Sequence, residues 1–326
     1  MNTKMSEKHL SLKFEGVPFK VAAPLLLVLL ISSSLLAQTD VKRPRILGIS
    51  HVAFFVSDLN KTLAFYKDFL GFEEPFALKR QDGTDWIAYI KVNDYQYIEL
   101  FAGNSRNHGQ LAHIALYTDN AARLRDYLVS QGITIVEQLH KAQTGNDFFS
   151  VIDPDGHRVE IFQYQPDSWM ARSKGKFMPA ARVSDHILHA GITVASSQPA
   201  LKFYQDVLGL QVANQGSDDE TQTHWIDMRV PESNDYIQLV LSRGQPSQGK
   251  QEIQNDMSLE ASNIQTAVTA LQARSGSASY SYPVNARTES NHASFADLFD
   301  PDGIRIRVAE PIPSGRVSLP RSSQKP

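Results

Sequence analysis

The feature that most constrains this chain is that it repeats itself. Ala64-Phe65-Tyr66-Lys67-Asp68-Phe69-Leu70-Gly71-Phe72 returns 138 residues later as Lys202-Phe203-Tyr204-Gln205-Asp206-Val207-Leu208-Gly209-Leu210, and His51 and His189 share that offset. Tyr97-Ile98-Glu99-Leu100 returns as Tyr236-Ile237-Gln238-Leu239, and Asp153-Pro154-Asp155-Gly156 returns as Asp300-Pro301-Asp302-Gly303. Self-similarity on this scale marks two homologous halves, near 46–166 and 186–311. Each half repeats more faintly within itself: His51-Val52-Ala53-Phe54-Phe55 resembles His113-Ile114-Ala115-Leu116-Tyr117, and Glu99 and Glu160 stand 61 apart. The chain therefore reads as four modules of about 60 residues. A linker at 167–185 and a Ser/Pro/Arg/Lys-rich tail at 312–326 read as irregular.

Within a module the elements are legible. Ile49 to Val56 is β-branched and aromatic, as strands are. Ser57 or Asp58 is placed to cap a helix, and Leu59, Leu63, Tyr66 and Leu70 fall on one helical face. Gly71 stands where a glycine ends a helix. Strands follow near 85–92 and 95–102. The second module has a helix from about 120 that stops at Gly132, then Phe148 to Ile152 and Arg158 to Phe162 around a turn at Asp153-Pro154-Asp155-Gly156. The order is strand, helix, then two or three antiparallel strands, an α+β chain.

Alternate residues of a strand share a face. Val52, Phe54 and Val56 are apolar and should meet the helix, which leaves His51, Ala53 and Phe55 for the other face. By the same rule Tyr97, Glu99 and Phe101 share a face, as do His113, Ala115 and Tyr117, and Arg158, Glu160 and Phe162. Four strands thus each place one metal-competent side chain opposite an apolar backing. A mid-strand carboxylate among apolar neighbours is costly unless paired or ligating. Two imidazoles and two carboxylates would neutralise a divalent cation and leave positions for water or substrate. By composition, two His and two acids at four set positions arise roughly once in a hundred thousand trials. The 326 residues include no cysteine, so any metal must be held by His, Asp, Glu or backbone oxygen. His157 at a turn reads as surface, and His108 and His140 as residues of polar loops.

Charge and the leader set the class. A net charge of −3 argues against nucleic acid as partner, because phosphate binding needs a basic surface. Residues 1–20 carry Lys4, Lys8, Lys13 and Lys20, and a largely apolar run from Val21 leads to Ala37. That pattern matches a signal peptide over 1–37 cleaved before Gln38, with an exported product. The alternative is an uncleaved anchor, the one case in which the membrane becomes a partner. Without 1–37 the chain has 28 basic and 33 acidic residues, formally −5.

The first half resembles the vicinal oxygen chelate superfamily of glyoxalases, bleomycin-resistance proteins and extradiol dioxygenases. The matching segments are Ile49-Ser50-His51-Val52-Ala53, Tyr97-Ile98-Glu99-Leu100, Leu111-Ala112-His113-Ile114-Ala115-Leu116 and Asp153-Pro154-Asp155-Gly156-His157-Arg158-Val159-Glu160-Ile161. The resemblance implies four βαβββ modules forming two tandem incomplete barrels. It implies one divalent metal ion (zinc, nickel, cobalt, manganese or iron(II)) held by His51, Glu99, His113 and Glu160. Glu99 and Glu160 are the candidate catalytic carboxylates, and Phe55, Tyr97, Phe101 and Tyr117 the candidate substrate pocket. In the second half His189 matches His51, but Gln238, Asp256 and Arg307 stand at the other ligand positions, so that half reads as ligand-degenerate. A separate weak site of His189, Gln238, Asp256 and Glu252 is the alternative. Because modules of this family also pair across halves or chains, whether the four ligands meet within one chain stays open at this point.

Three activities follow from the resemblance. A lyase, isomerase or epimerase would act on a small substrate with vicinal oxygens. An iron(II) ring-cleaving dioxygenase would need only His51, His113 and Glu160. A metal-free binder of small molecules would use Trp86, Tyr95, Tyr97, Phe101 and Tyr117 as an aromatic pocket. The partner in each case is a small molecule, with the protein a monomer or homodimer.

Overall fold

Strand β1 runs Ile46–Val56 with Val52, Phe54 and Val56 fully buried on its apolar face. Here and throughout, the structure is a computed structural model that describes residues 42–103, 110–216, 224–242, 255–274, 280–288 and 294–311. The leader at 1–37, His108, Glu252 and the tail at 312–326 lie outside the described residues. Among the described residues no helix is long and apolar enough to cross a membrane.

Helix α1 spans Leu59–Ala64, and the Asp58 side chain accepts the Lys61 N–H at 3.1 Å as its cap. The sequence predicts one even helix to Gly71. Instead the last turn, Phe65–Phe69, widens to a π-helix in which Leu70 N–H bonds Phe65 O at 2.9 Å. Gly71, at φ +83°, then ends it in the left-handed region that favours glycine. The second half does the same: α4, Ser197–Leu201, passes into a π-turn over Lys202–Val207 and ends at Gly209.

Three strands follow α1: β2 Glu73–Lys79, β3 Asp85–Lys91 and β4 Tyr97–Ala102. The second module is β5 Gln110–Thr118, α2 Ala121–Ser130, β6 Ile135–Lys141, β7 Asp147–Ile152 and β8 Arg158–Gln163. Together they make one eight-stranded sheet, ordered β2-β3-β4-β1-β5-β8-β7-β6, which ends at β2 and β6 without closing. The two modules join at its centre, where β1 and β5 pair antiparallel. The second half repeats this with β9 Ile187–Val194, β10 Gln211–Gly216, β11 Trp225–Arg229, β12 Tyr236–Leu241, β13 Asn255–Glu260, α5 Ile264–Gln272, β14 Arg287–Thr288, β15 Ser294–Phe299 and β16 Arg305–Ala309. Its order is β10-β11-β12-β9-β13-β16-β15-β14. The modules therefore pair within each half. The linker is not wholly irregular: α3, Trp169–Arg172, packs Met170 against Tyr97 and Tyr89 of the first sheet. Buried Lys91 anchors the chain beyond it, donating to Ser173 O at 2.6 Å and to Asp94 at 2.8 Å.

The two halves hold each other reciprocally. In β1, Ile49 faces Leu116 and His51 faces Ala115, so Ser50 is an extra residue, a bulge. The Ile49 N–H is taken by Asp235 of the second half at 2.7 Å. The equivalent irregularity in β9 leaves the Ile187 N–H to Gln96 of the first half, also at 2.7 Å. The Asp-Pro-Asp-Gly turns cross-link in the same way. Asp302 accepts the Ser57 N–H, Asp155 accepts the Ala195 N–H, and Tyr204 donates to Asp153.

Candidate functional site

The central strand pair builds the site. In register, His51 faces Ala115 and His113 faces Ala53, so each imidazole rises beside a methyl group of the opposing strand. The outer, parallel strands add one carboxylate each: Glu99 lies beside Ala53, and Glu160 beside Ala115. Small side chains at 53 and 115 leave the room into which four larger ones converge. All four are buried, at 2–8% exposure.

The distances are short. His51 Nε2 lies 3.0 Å from His113 Nε2. Glu160 presents one oxygen, Oε2, to both imidazoles at 3.6 Å. Glu99 straddles them with Oε1 at 3.5 Å from His51 and Oε2 at 3.6 Å from His113. Ligand bonds of about 2.0–2.2 Å set roughly at right or tetrahedral angles put donor atoms about 3.0–3.5 Å apart. The donor set therefore fits one small divalent ion. His51, His113 and Glu160 each offer a single ligand atom close to the other two, whereas Glu99 divides its two oxygens between the imidazoles. The four side chains converge within one chain.

Opposite charges shift the titrating groups of the cluster. Burial pushes Glu160 up, but the imidazoles of His113 and His51 and the guanidinium of Arg158 outweigh it and hold the carboxyl below its usual range. Burial pulls His113 down, and Glu160 and Glu99 more than reverse that. Arg158 Nε stands 3.9 Å from Glu160 Oε1, and its far end pairs with Glu137. His51 Nδ1 contacts Ser50 Oγ at 3.2 Å, Ser50 Oγ contacts Tyr164 Oη at 2.8 Å, and Tyr164 donates to the Tyr95 carbonyl at 2.6 Å.

The four residues form the floor of a cavity of about 620 Å³. Phe55 and Phe101 line it as expected, with Trp86, 42% exposed, on its wall. Tyr97 and Tyr117 do not. Tyr97 shares the Glu99 face and pairs with His51, but its side chain clusters with Met170 of α3 and its hydroxyl meets Ser173 Oγ at 2.9 Å. Tyr117 stacks on Tyr95 at 6.0 Å, away from the cavity. His140 is not a loop residue: it lies on β6 and lines the cavity. His157 is tied to Asp153 at 2.9 Å, its side chain only 18% exposed. Tyr89, Phe148 and Phe162 also line the cavity, and sequence reasoning missed them in this role. Phe162 carries a usable signal, because it alternates with Glu160 on one strand.

A family model described as Glyoxalase/Bleomycin resistance protein/Dioxygenase superfamily matches residues 48–161 and again 186–308. The chain belongs to that superfamily. Among relatives, an uncharacterized protein of Bacillus subtilis is 29% identical over 123 residues, 35% of this chain and 96% of that protein. Glyoxalase I of Saccharomyces cerevisiae is 25% identical over 130 residues, 40% of this chain and only 35% of the yeast protein. Among solved structures, the Mn(II)-bound glyoxalase of Novosphingobium aromaticivorans aligns with a TM-score of 0.63 at 19% identity, covering 82% of this chain and 83% of that one. A mutant homoprotocatechuate 2,3-dioxygenase of Brevibacterium fuscum aligns with a TM-score of 0.63 at 18% identity, covering 86% and 76%. These likenesses extend the superfamily fold over both halves.

The second superfamily half has its equivalent face filled from within. Asp256 holds the His113 position and lies against Gly191, the counterpart of Ala53, where any Cβ would collide with the carboxylate. Arg305 Nε donates to Asp256 at 2.9 Å, so a guanidinium neutralises this carboxylate. Arg307, at the Glu160 position, pairs with Asp297 at 2.8 Å, and Gln238 donates to Asp227 at 2.9 Å. His189 stands 3.8 Å from Asp256. Among the described residues, the first half alone offers a metal-competent cluster.

Proposed function

We propose that this chain is a metal-dependent lyase, isomerase or epimerase acting on a small substrate with two neighbouring oxygens. His51, Glu99, His113 and Glu160 hold the metal: zinc, nickel, cobalt, manganese or iron(II). The observation that carries this is the meeting of two imidazole nitrogens and two buried carboxylates at 3.0–3.6 Å on the floor of one cavity. Bound there, a divalent cation supplies Lewis-acid polarisation of the substrate oxygens.

The protein's own groups divide the remaining work. Glu160 points one oxygen at both imidazoles and is braced by Arg158, which suits a fixed ligand. Glu99 straddles the pair, so one of its oxygens is placed to take a proton from a carbon beside the polarised oxygens. Phe55, Phe101 and Phe162 wall the cavity and exclude water from that transfer.

A second reading rests on His51, His113 and Glu160, which each offer one ligand atom close to the other two. Two His and one carboxylate are the donor set of iron(II) oxygenases, and Glu99 would then serve as base alone. A metal-free binder has no use for two buried carboxylates among imidazoles. The proposal includes export, with the mature chain beginning near Gln38.

Metal analysis of the purified protein beside His113→Ala and Glu99→Ala tests this. One equivalent of metal in the wild type and loss in His113→Ala support the site, whereas no metal in the wild type overturns it. A Glu99→Ala protein that keeps iron and consumes oxygen with catechols selects the dioxygenase.

A further inference from the structure

The bulge in β1 turns Ser50 toward its neighbour, and the hydrogen bonds that start there run in one direction only. Tyr164 has a single hydroxyl proton, and its partner at 2.6 Å is the Tyr95 carbonyl, which only accepts. Tyr164 Oη must therefore accept from Ser50 Oγ–H across 2.8 Å. That spends the one proton of Ser50, whose remaining lone pair faces His51 Nδ1 at 3.2 Å. We infer that Ser50 and Tyr164 are positioning residues that keep the proton of the neutral His51 imidazole on Nδ1, so that Nε2 is the nitrogen it offers to a metal beside Glu99, His113 and Glu160.

The inference rests on the metal-centre reading for its purpose but not for its geometry. A neutral imidazole binds metal through the nitrogen that carries no proton, and the partner of its other nitrogen selects which one that is. Here the selection ends on a backbone carbonyl, which cannot reverse. The 3.0 Å contact between His51 Nε2 and His113 Nε2 agrees, because it needs a bare nitrogen on one side. The second half lacks the device: Leu188 stands at the Ser50 position, and His189 Nδ1 instead meets the Tyr236 hydroxyl at 2.9 Å.

The test uses the full chain with Tyr164→Phe and Ser50→Ala, folding being checked by circular dichroism. Nitrogen-15 NMR of the metal-free protein should show His51 protonated at Nδ1 in the wild type. Tyr164→Phe frees the Ser50 proton to point at His51 Nδ1 and should move the imidazole proton to Nε2. Competition titration with Mn(II) or Zn(II) should then show affinity about 10–100-fold weaker. The double variant should bind metal no worse than Ser50→Ala alone, because Tyr164 acts through Ser50. An Nε2–H tautomer in the wild type, or an unchanged tautomer in Tyr164→Phe, overturns the inference. Absence of metal binding in all proteins, with the tautomers as expected, overturns the metal-centre reading and leaves the lock standing.

Discussion

Replacing Asp300 by Asn should stabilise the protein above neutral pH and do nothing in acid. Asp300 is 2% exposed and begins the second Asp-Pro-Asp-Gly turn. Its Oδ1 accepts the Asp302 and Ile304 N–H groups, each at 2.9 Å, while Oδ2 has no partner. The first-half counterpart, Asp153, has two more partners: His157 and the Tyr204 hydroxyl, each 2.9 Å from Oδ2. Ile304 replaces the histidine in the second copy, and Tyr66, the counterpart of Tyr204, also has an unpartnered hydroxyl. Burial, with Asp302 adding to it, pushes Asp300 up to about 7 from an ordinary 3.8. Below pH 4 the carboxyl is protonated in both folded and unfolded chains and has no effect on stability. As pH rises from about 4 to 7 the unfolded chain releases a proton that the folded one keeps, so stability falls. About three units at ~1.36 kcal/mol each give a loss of ~4 kcal/mol, complete above pH 7. Asn keeps the Oδ1 acceptor and has no charge to bury. Urea unfolding of both proteins from pH 4 to 8 reads the difference: near zero at pH 4, rising to about 2–4 kcal/mol in favour of Asn at pH 8. A gap that does not vary with pH, or an Asn variant less stable at pH 8, would refute the reasoning.

Other substitutions have their own signatures. Asp153→Asn should act with the opposite sign. Burial raises this carboxyl, but His157 and Tyr204 overcompensate and hold it below the usual range. Its stabilising effect is present above the unfolded pKa and fades as pH falls through the folded one, so the variant should be weaker at pH 7 and converge on wild type in acid urea melts. Asp235→Ala should strand the buried Ile49 N–H, costing about 1–3 kcal/mol in urea unfolding. Arg305→Ala should leave Asp256 buried without its guanidinium and cost roughly 3–5 kcal/mol in the same assay, with metal content unchanged. Met170→Ala should open a hole under Tyr97 and lower stability by about 2–5 kcal/mol, read as a lower thermal midpoint.

Much of the scaffold was legible because the repeat reports on shape. A strand that turns one face to a helix must alternate, and Val52, Phe54 and Val56 against His51, Ala53 and Phe55 do so. The same alternation on four strands pointed to His51, Glu99, His113 and Glu160. It failed for Tyr97 and Tyr117, because alternation names a face of the sheet but not a height on it. Tyr97 shares a face with Glu99 yet lies one rung away, under a helix that the linker's composition did not announce. The relay of Ser50 and Tyr164 was hidden for a related reason. A bulge breaks the period of two, so strand alternation gives no sign that Ser50 meets His51 Nδ1.

The sequence by itself determined which side chains each strand offers and that the second half carries Gln238, Asp256 and Arg307 where the first carries Glu99, His113 and Glu160. Those are local facts, set by strand period and by side-chain chemistry. Only the tertiary structure decided that β1 pairs with β5 of the same half, which brings two histidines 62 residues apart to 3.0 Å. It also decided that Arg305 pairs with Asp256 in the second half and that each half supplies the hydrogen bond the other's bulge leaves open. Pairing register and the fate of unpaired backbone groups are set by contacts between distant segments, and no local pattern carries them.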